Sequence, residues 1–243
     1  MTKLGRSTTI LCLVFGVLVL ATSTGAQTRS PIAEQIAKTY GLDSFGQVEA
    51  IRYTWNAQLS GVNLSRSWVW QPKSDQVSYE GKDKNGKPVK VAYVRSKLDG
   101  EAANVKDEID PAFLNDQYWL LFPFHVYWDS SADVQDLGVQ KLPLGKGFAK
   151  RVAVKYPSEG GVSPGDTWEL YIGPDNRVAE FVFHRGGTMK PSIVTATWAG
   201  YRKAGPLLIS TDHRGTADGK PVRIFLSKVS VKLTGSDKWA KAQ

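Results

Sequence analysis

The stretch from Phe113 to Trp128 reads FLNDQYWLLFPFHVYW, and its aromatic side chains require a large apolar surface elsewhere in the chain. Seven of its sixteen residues are Phe, Tyr or Trp. Asp110 followed by Pro111 is typical of a helix start, because an N-cap acceptor precedes a residue that needs no amide partner. Pro123 removes a donor and clashes with the preceding turn, so the pattern predicts that the helix ends near Phe122.

One side of this predicted helix is strongly apolar. The residues on that stripe are spaced three and four apart: Leu114, Tyr118, Leu121 and Phe122, widened by Phe113 and Trp119. A helix of this kind buries its stripe against another apolar surface. The remaining chain must therefore supply a large apolar face.

The flanking sequence is typical of antiparallel strands. Before the helix, apolar and polar residues alternate over 51–59, 66–71, 77–79 and 89–93. After it, short strands are predicted at 137–142, 148–156, 167–172, 178–184, 193–198, 207–211 and 222–233. Residues 129–136 are predicted to be a solvated loop or a short helix. Turn sequences such as Pro174-Asp175-Asn176 join antiparallel neighbours, since parallel strands need a crossover of a dozen or more residues.

Only one other strong helix is predicted, from Pro31 to Tyr40, with Ser30 before it and Gly41 closing it. Roughly ten antiparallel strands are too many for a flat sheet to carry without curling. We therefore expect an α+β fold, a single curled antiparallel β-sheet that forms an unclosed half-barrel with helices covering its concave face. A closed barrel is the competing architecture.

The N-terminus has the features of an export leader. Lys3 and Arg6 precede an apolar run from Ile10 to Ala21, and Ala26 ends a small-residue cleavage site. We expect a signal peptide over 1–26, a single domain over 27–243 and a periplasmic location, with an uncleaved anchor as the alternative. The only cysteine lies in the leader, so the mature fold cannot rely on disulfides.

The chain has 243 residues and a net charge of +8. This positive balance suits a partner with phosphate or carboxylate groups, such as an anionic membrane surface. It does not indicate nucleic acid, because no run of five basic residues and no nucleic-acid-binding motif occurs.

Catalytic signals are weak. His125, His184 and His213 have no metal-ligand spacing, the HExxH and GxSxG motifs are absent, and the mature chain lacks a cysteine nucleophile. We interpret His184 and His213 as ordinary half-exposed side chains, and we expect no enzyme, no metal and no cofactor. An enzyme using Asp116 and His125 is an alternative; otherwise Asp116 faces solvent or an arginine.

The most informative feature is the surplus of aromatic residues. Either they fill the core between sheet and helix, or they line an apolar cavity for a lipid-like ligand. The candidate ligand-binding residues are Trp55, Trp68, Trp70, Tyr118, Trp119 and Phe122. Burying a sixteen-carbon chain gains on the order of 12 kcal/mol before ordering costs. A carbohydrate-binding or cell-envelope interaction module that uses Trp68 and Trp70 is the second hypothesis, and carbohydrate binding requires these two residues to be exposed on one flat face.

Three motifs resemble an uncharacterised family of exported bacterial proteins. They are Trp68-x-Trp70-x-Pro72-Lys73, Val77-x-Tyr79-x-Gly81 and the stretch 113–123. That family is similar in fold to the periplasmic lipoprotein carriers and receptors LolA and LolB. The resemblance implies a curled, unclosed antiparallel sheet with helices at its mouth and an acyl-chain site between them. Together these features predict a non-catalytic periplasmic binding protein, possibly a carrier, for a lipid, an acyl chain or a lipoprotein.

Overall fold

A computed structural model describes residues 29–59 and 61–243; the predicted leader lies outside this range. The helices are α1 (Pro31–Tyr40), the short α2 (Leu42–Phe45) and α3 (Asp110–Trp128), with a 3-10 turn at Arg95–Gly100 and a π-turn at Val105–Ile109. The strands before α3 are β1 (Val48–Leu59), β2 (Val62–Gln71), β3 (Gln76–Lys82) and β4 (Pro88–Val94). Those after it are β5 (Asp133–Lys141), β6 (Phe148–Lys155), β7 (Thr167–Ile172), β8 (Val178–His184), β9 (Ile193–Thr197), β10 (Arg202–Ala204), β11 (Leu207–Ile209), β12 (Asp212–Ala217), β13 (Lys220–Leu233) and β14 (Trp239–Lys241).

Twelve of these strands form one sheet, in the order β4-β3-β2-β1-β13-β12-β9-β8-β7-β6-β5, with β14 also pairing with β13. Every pairing is antiparallel. The two edge strands, β4 and β5, do not pair with each other within the described part of the chain, so the sheet stays open. β10 and β11 form a separate hairpin.

The predicted alternation on β1 is confirmed. Ile51, Tyr53, Trp55 and Ala57 are buried on the inner face, while Arg52 lies on the outer face. Because cross-strand partners share a face, the inward row continues from Tyr53 to Trp68 on β2 and Tyr79 on β3. The inner face is therefore the large apolar surface that the aromatic helix requires.

α3 lies across this inner, concave face. Asp116 accepts a hydrogen bond from the Trp68 indole at 2.8 Å, which ties the helix to β2. On the other half of the sheet, the Trp119 ring lies 5.3 Å from that of Trp168 on β7 and 5.7 Å from that of Phe181 on β8. The predicted α+β fold, an unclosed curled sheet with helices on its concave face, is confirmed.

The predicted start of α3 at Asp110 and Pro111 is confirmed, whereas its predicted end is wrong. The helix does not stop near Phe122; it runs through Pro123 to Trp128, with one kink at Leu121, where φ is −121° and ψ is 16°. An interior proline bends a helix when tertiary packing holds both halves, and here the residues around it are fully buried. Asp110 makes no side-chain cap. It follows the π-turn directly, and its carboxylate binds other partners.

Those partners are on β4 and in the turn after it. The Asp110 carboxylate accepts hydrogen bonds from Tyr93 at 3.0 Å and from Arg95 at 2.7 Å. The start of α3 is thus fixed to the edge of the sheet by side chains that come earlier in the sequence.

The prediction for α1 is confirmed from Pro31 to Tyr40. Gly41 takes the left-handed conformation with φ of 106°, and its amide bonds the carbonyls of Ala37 and Lys38. A Cβ on Gly41 would also lie 2.6 Å from the carbonyl oxygen of Pro206, so glycine is required for two reasons.

Most of the later strands agree with the predicted ranges, but β5 begins earlier than predicted and three strands, β10, β12 and β14, were not predicted. β5 begins at Asp133, inside the region predicted to be a loop or short helix. The strand β12 was not predicted, because Asp212, Gly215 and the charged residues between them indicate a turn. Its pairing with β9 and β13 stabilises it as a strand in spite of that composition.

Candidate functional site

A pocket of about 510 Å³ opens beside the first half of α3. Its inner wall consists of Leu114, Tyr118 and Trp119 on the helix and Trp168 and Phe183 on β7 and β8. Its outer wall comes from two loops, residues 157–166 between β6 and β7 and residues 185–192 between β8 and β9. The pocket therefore lies at the rim of the interface between helix and sheet, not within it.

The loops bring apolar side chains to the pocket mouth. Val162 is 51% exposed and Met189 is 66% exposed, and both line the pocket. Together they form an exposed apolar patch at the opening of the pocket. Neither residue was predicted from the sequence. The signal available was an apolar residue within each Gly-rich loop.

Of the two charged residues that line the pocket, Asp166 and Arg185, only the arginine is basic. Its Nε atom is buried and has no hydrogen-bond partner among the described residues. No ion pair in that part of the chain includes it. The nearby Asp166 accepts a hydrogen bond from the Gly186 amide at 2.7 Å. The Arg185 side chain therefore lines the pocket with its Nε–H group unsatisfied by any described residue.

Tyr118 is held in place by a polar cluster at the end of α3. Its hydroxyl donates to Asp129 at 2.7 Å, and Tyr156 donates to the same oxygen at 2.8 Å. The His125 ring stacks on Tyr118 with centroids 3.9 Å apart, and its Nδ1 lies 3.1 Å from Asp129. Burial raises the pKa of Asp129, but His125 and the two tyrosine hydroxyls outweigh it and hold that pKa below its usual value.

A second buried carboxylate, Asp116, also has a structural role. Arg66 donates to it twice, through Nε at 2.7 Å and Nη2 at 2.5 Å. Burial raises the pKa of Asp116, and the hydrogen bonds from Arg66, Asn115 and Trp68 counter that shift. The sequence-based interpretation that Asp116 faces an arginine is confirmed. Asp116 and His125, the pair considered for an enzyme, thus bind different partners.

Two of the six predicted ligand-binding residues, Tyr118 and Trp119, line the pocket. The other four lie in packed contacts. The Arg66 guanidinium lies 4.2 Å from the centroid of the Trp55 ring. The Phe122 ring stacks on that of Trp168, with centroids 4.0 Å apart. The space beneath Phe122 is therefore filled by an indole.

Trp68 and Trp70 also pack against aromatic rings. Trp68 lies 4.6 Å from Tyr79, and Trp70 lies 6.1 Å from Phe113. Trp68 is only 1% exposed, and Trp70 is half-buried. The exposed flat face that a carbohydrate-binding module requires at these two residues is absent, so that premise is wrong.

The histidine predictions differ in outcome. His184 is half-exposed at the end of β8, as expected. His213 is not: it is 1% exposed on β12, with its ring 4.2 Å from that of Trp198. Burial lowers the pKa of His213 to about 4, so the ring is neutral at neutral pH.

Two features are absent from residues 29–59 and 61–243. No group of three or more His, Cys, Asp or Glu side chains is placed to hold a metal ion. No helix there has the length and apolar character needed to cross a bilayer.

Fold and site together define a curled antiparallel sheet with an aromatic helix on its concave face and an apolar pocket at the rim. No protein-family profile matches the chain, and no curated protein matches it significantly in sequence.

Several solved structures are similar in shape. A DUF1329 family protein from Desulfovibrio piger aligns with a TM-score of 0.45 and 9% identity, over 85% of this chain and 94% of that one. The Mycobacterium tuberculosis lipoprotein LppX aligns with a TM-score of 0.30 and 9% identity, over 82% and 94%. The Pseudomonas aeruginosa MucA/MucB complex gives 0.24 and 11%, over 88% and 98%. These scores are too low to assign a ligand.

Proposed function

We propose that this protein is an exported, non-catalytic binding protein for an anionic amphiphile with one acyl chain. The observation that carries the proposal is the rim pocket, in which apolar walls surround an arginine whose Nε atom has no hydrogen-bond partner among the described residues. The acyl chain lies against Leu114, Trp119 and Phe183, and the anionic head group binds Arg185.

The size of the pocket suits such a ligand. A volume of about 510 Å³ falls within the range of roughly 300–1,000 Å³ that is usual for small-molecule sites. Burying roughly ten CH₂ groups gains about 8 kcal/mol before ordering costs. Those costs amount to several kcal/mol, so the expected affinity is moderate and the ligand can leave again.

The head-group contact supplies specificity. A buried donor without a partner costs about 1–3 kcal/mol, and more for a charged group. A carboxylate or phosphate that satisfies the Arg185 Nε atom removes this cost. A neutral head group does so only partly, so we expect the protein to prefer the anion.

The absence of catalysis is part of the proposal. Asp116 is engaged by Arg66 and Trp68, and His125 is engaged by Asp129 and stacked on Tyr118. Both candidate catalytic side chains are thus committed to holding α3 in place.

The proposal is tested with cis-parinaric acid, a fatty acid whose fluorescence rises in an apolar environment. We expect the wild-type protein to bind it, and the Val162→Ser/Met189→Ser variant to bind at least about tenfold more weakly. The control is Val139→Ser/Phe148→Ser, which changes two apolar residues that are at least as exposed but lie outside the pocket lining, and it should leave the affinity as it is. No fluorescence change with the wild-type protein, or equal losses in both variants, would contradict the proposal.

The role of Arg185 is measured by comparing cis-parinaric acid with its methyl ester. Arg185→Gln should weaken binding of the acid more than binding of the ester. If both probes weaken equally, the pocket still binds an acyl chain but Arg185 does not select the anion. Native mass spectrometry of the protein purified from its own host then identifies the natural ligand by mass.

A further inference from the structure

A second and larger cleft, of about 860 Å³, lies on the opposite face of the sheet. Its floor is the outer face of β1 to β4, and its far wall is formed by β13 and the C-terminal strands β10 and β14. We propose that this cleft is a separate binding site for a phosphorylated ligand. Four observations support the assignment.

The first observation is the strand register. Arg52 on β1 is paired with Ser230 on β13, and Ser230 is paired with Lys241 on β14. Cross-strand partners share a face and neighbouring strands are roughly 4.8 Å apart, so the two cations flank one serine hydroxyl. Ser230 is 2% exposed, which places it at the bottom of the cleft. The Arg52 guanidinium also lies 4.4 Å from the ring of Trp239, which fixes its position.

The second observation is a β-bulge in β13. Thr54 pairs with Ser227 and Arg52 pairs with Ser230, so two residues of β13 oppose the single Tyr53 of β1. One of the two, Lys228, has φ of 55° and is exposed, whereas the next residue, Val229, is buried. A lysine in the left-handed region is strained, and such strain concentrates at functional sites. The bulge turns Lys228 outward, where it lines the cleft.

The third observation is uncompensated charge. Arg52, Lys228 and Lys241 line the cleft together with Arg202 from β10. None of the four takes part in an ion pair with another residue of the described chain. The one acidic residue of the lining, Glu80, is paired with Lys90 at 3.6 Å. The cationic wall therefore lacks a counter-ion.

The charge of this wall indicates the ligand class. A single carboxylate supplies one negative charge, whereas a phosphomonoester supplies about 1.5 to 2 at neutral pH together with three acceptor oxygens. The guanidinium group of arginine and the ammonium group of lysine both bind phosphate well. Four cations around one cleft therefore fit a phosphate or diphosphate better than a carboxylate.

The fourth observation is the floor beside the cationic wall. Small side chains cover it: Thr54 and Ser67, joined by a hydrogen bond of 2.9 Å, with Ser78, Val69 and Ala92 in the neighbouring positions. The cleft is larger than a phosphate group alone needs. The remainder of the ligand lies on this floor, within reach of the hydroxyl groups.

The test uses two probes that supply phosphate from different sources. Inorganic pyrophosphate is titrated calorimetrically at low salt, and flotation with vesicles that contain phosphatidic acid, compared with pure phosphatidylcholine vesicles, tests a lipid head group that is a phosphomonoester. The cleft variant is Arg202→Gln/Lys228→Gln. The control is Lys141→Gln/Lys146→Gln, which removes the same charge from an exposed hairpin away from the cleft. Thermal unfolding of each variant verifies that it is folded.

We expect the wild-type protein to bind at least one probe, the cleft variant to lose at least about tenfold in affinity, and the control to lose less than about twofold. Binding of pyrophosphate indicates a soluble phosphorylated ligand, and binding of the vesicles alone indicates a lipid head group. If neither probe binds, or if the two variants lose the same affinity, the assignment is wrong. The positive charge then contributes only a non-specific electrostatic attraction.

Discussion

Replacing Asp116 by alanine is expected to destabilise the protein by about 3–5 kcal/mol, because it leaves a buried charge without its partner. The Asp116 side chain is fully buried and the Arg66 side chain is only 20% exposed. The substitution also leaves the Trp68 indole N–H without its acceptor. Since a domain of this kind is stable by roughly 5–15 kcal/mol, the loss is a large fraction of the total.

The physical reason is tested by a double-mutant cycle in urea, followed by tryptophan fluorescence. Arg66→Met removes the orphaned charge, so Asp116→Leu/Arg66→Met should recover more than half of the free energy lost in Asp116→Leu alone. The control is Glu80→Gln, which breaks a pair whose side chains are 70% and 83% exposed. Exposed pairs contribute little, so its urea midpoint should stay close to that of the wild type.

Two results would refute this reasoning. If Asp116→Ala costs less than about 1 kcal/mol, the carboxylate does not anchor α3 to β2. If the double variant is as unstable as the sum of the two single variants, the energy comes from lost packing and not from the unpaired guanidinium.

Two further predictions concern the core. The pKa of His213 is about 4 in the folded protein and near 6.5 in the unfolded chain. Between these two pH values the unfolded state therefore binds more protons than the folded state. The free energy of unfolding consequently falls as the pH is lowered from 6.5 to 4. Compared with His213→Leu, the wild type should therefore lose about 3 kcal/mol more between pH 6.5 and pH 4, measured by urea unfolding; an equal pH dependence would contradict a buried neutral ring. Trp119→Ala should cost about 3–5 kcal/mol, because the indole is 5% exposed and packs on Trp168 and Phe181. A loss under about 1 kcal/mol in the same assay would show that this ring faces the pocket and not the core.

The parts of the fold that the sequence predicts are those set by local periodicity. Alternation from Ile51 to Leu59 depends only on which residues of one strand are apolar, and the helix over Pro31–Tyr40 depends only on its own ends. The open, curled sheet follows from counting such strands against the few helices available to cover them. Each of these features can be predicted without knowing which distant residues meet.

The features that the sequence does not predict depend on distant contacts. Pro123 stops an isolated helix, but α3 continues because its second half is packed into the core. β12 begins with Asp212, His213 and Arg214, which indicate a turn until β9 and β13 pair on either side. The cations Arg52 and Lys241 on the outer face can be recognised as neighbours only from the pairing register of β1, β13 and β14.

The position of the rim pocket has a specific cause in the packing around α3. Where Phe122 crosses the sheet, Trp168 stacks on it and no space remains. Nearly one turn earlier, beside Trp119, the helix lies at the ends of β7 and β8, where the adjoining loops form part of the wall. There Gly186 approaches the neighbouring loop so closely that a Cβ would lie 2.2 Å from the carbonyl oxygen of Pro164.

That contact clamps the two loops together, and the hydrogen bond from the Gly186 amide to Asp166 strengthens it. The clamped loops form a wall that stands apart from the helix, because their glycines have no side chains to fill the gap. Val162 and Met189 are carried on this wall and face the aromatic stripe across the opening. An aromatic helix on a curled sheet therefore packs solidly over the middle of the strands and leaves an apolar opening where the strand ends meet glycine loops, which is why the pocket falls at the rim.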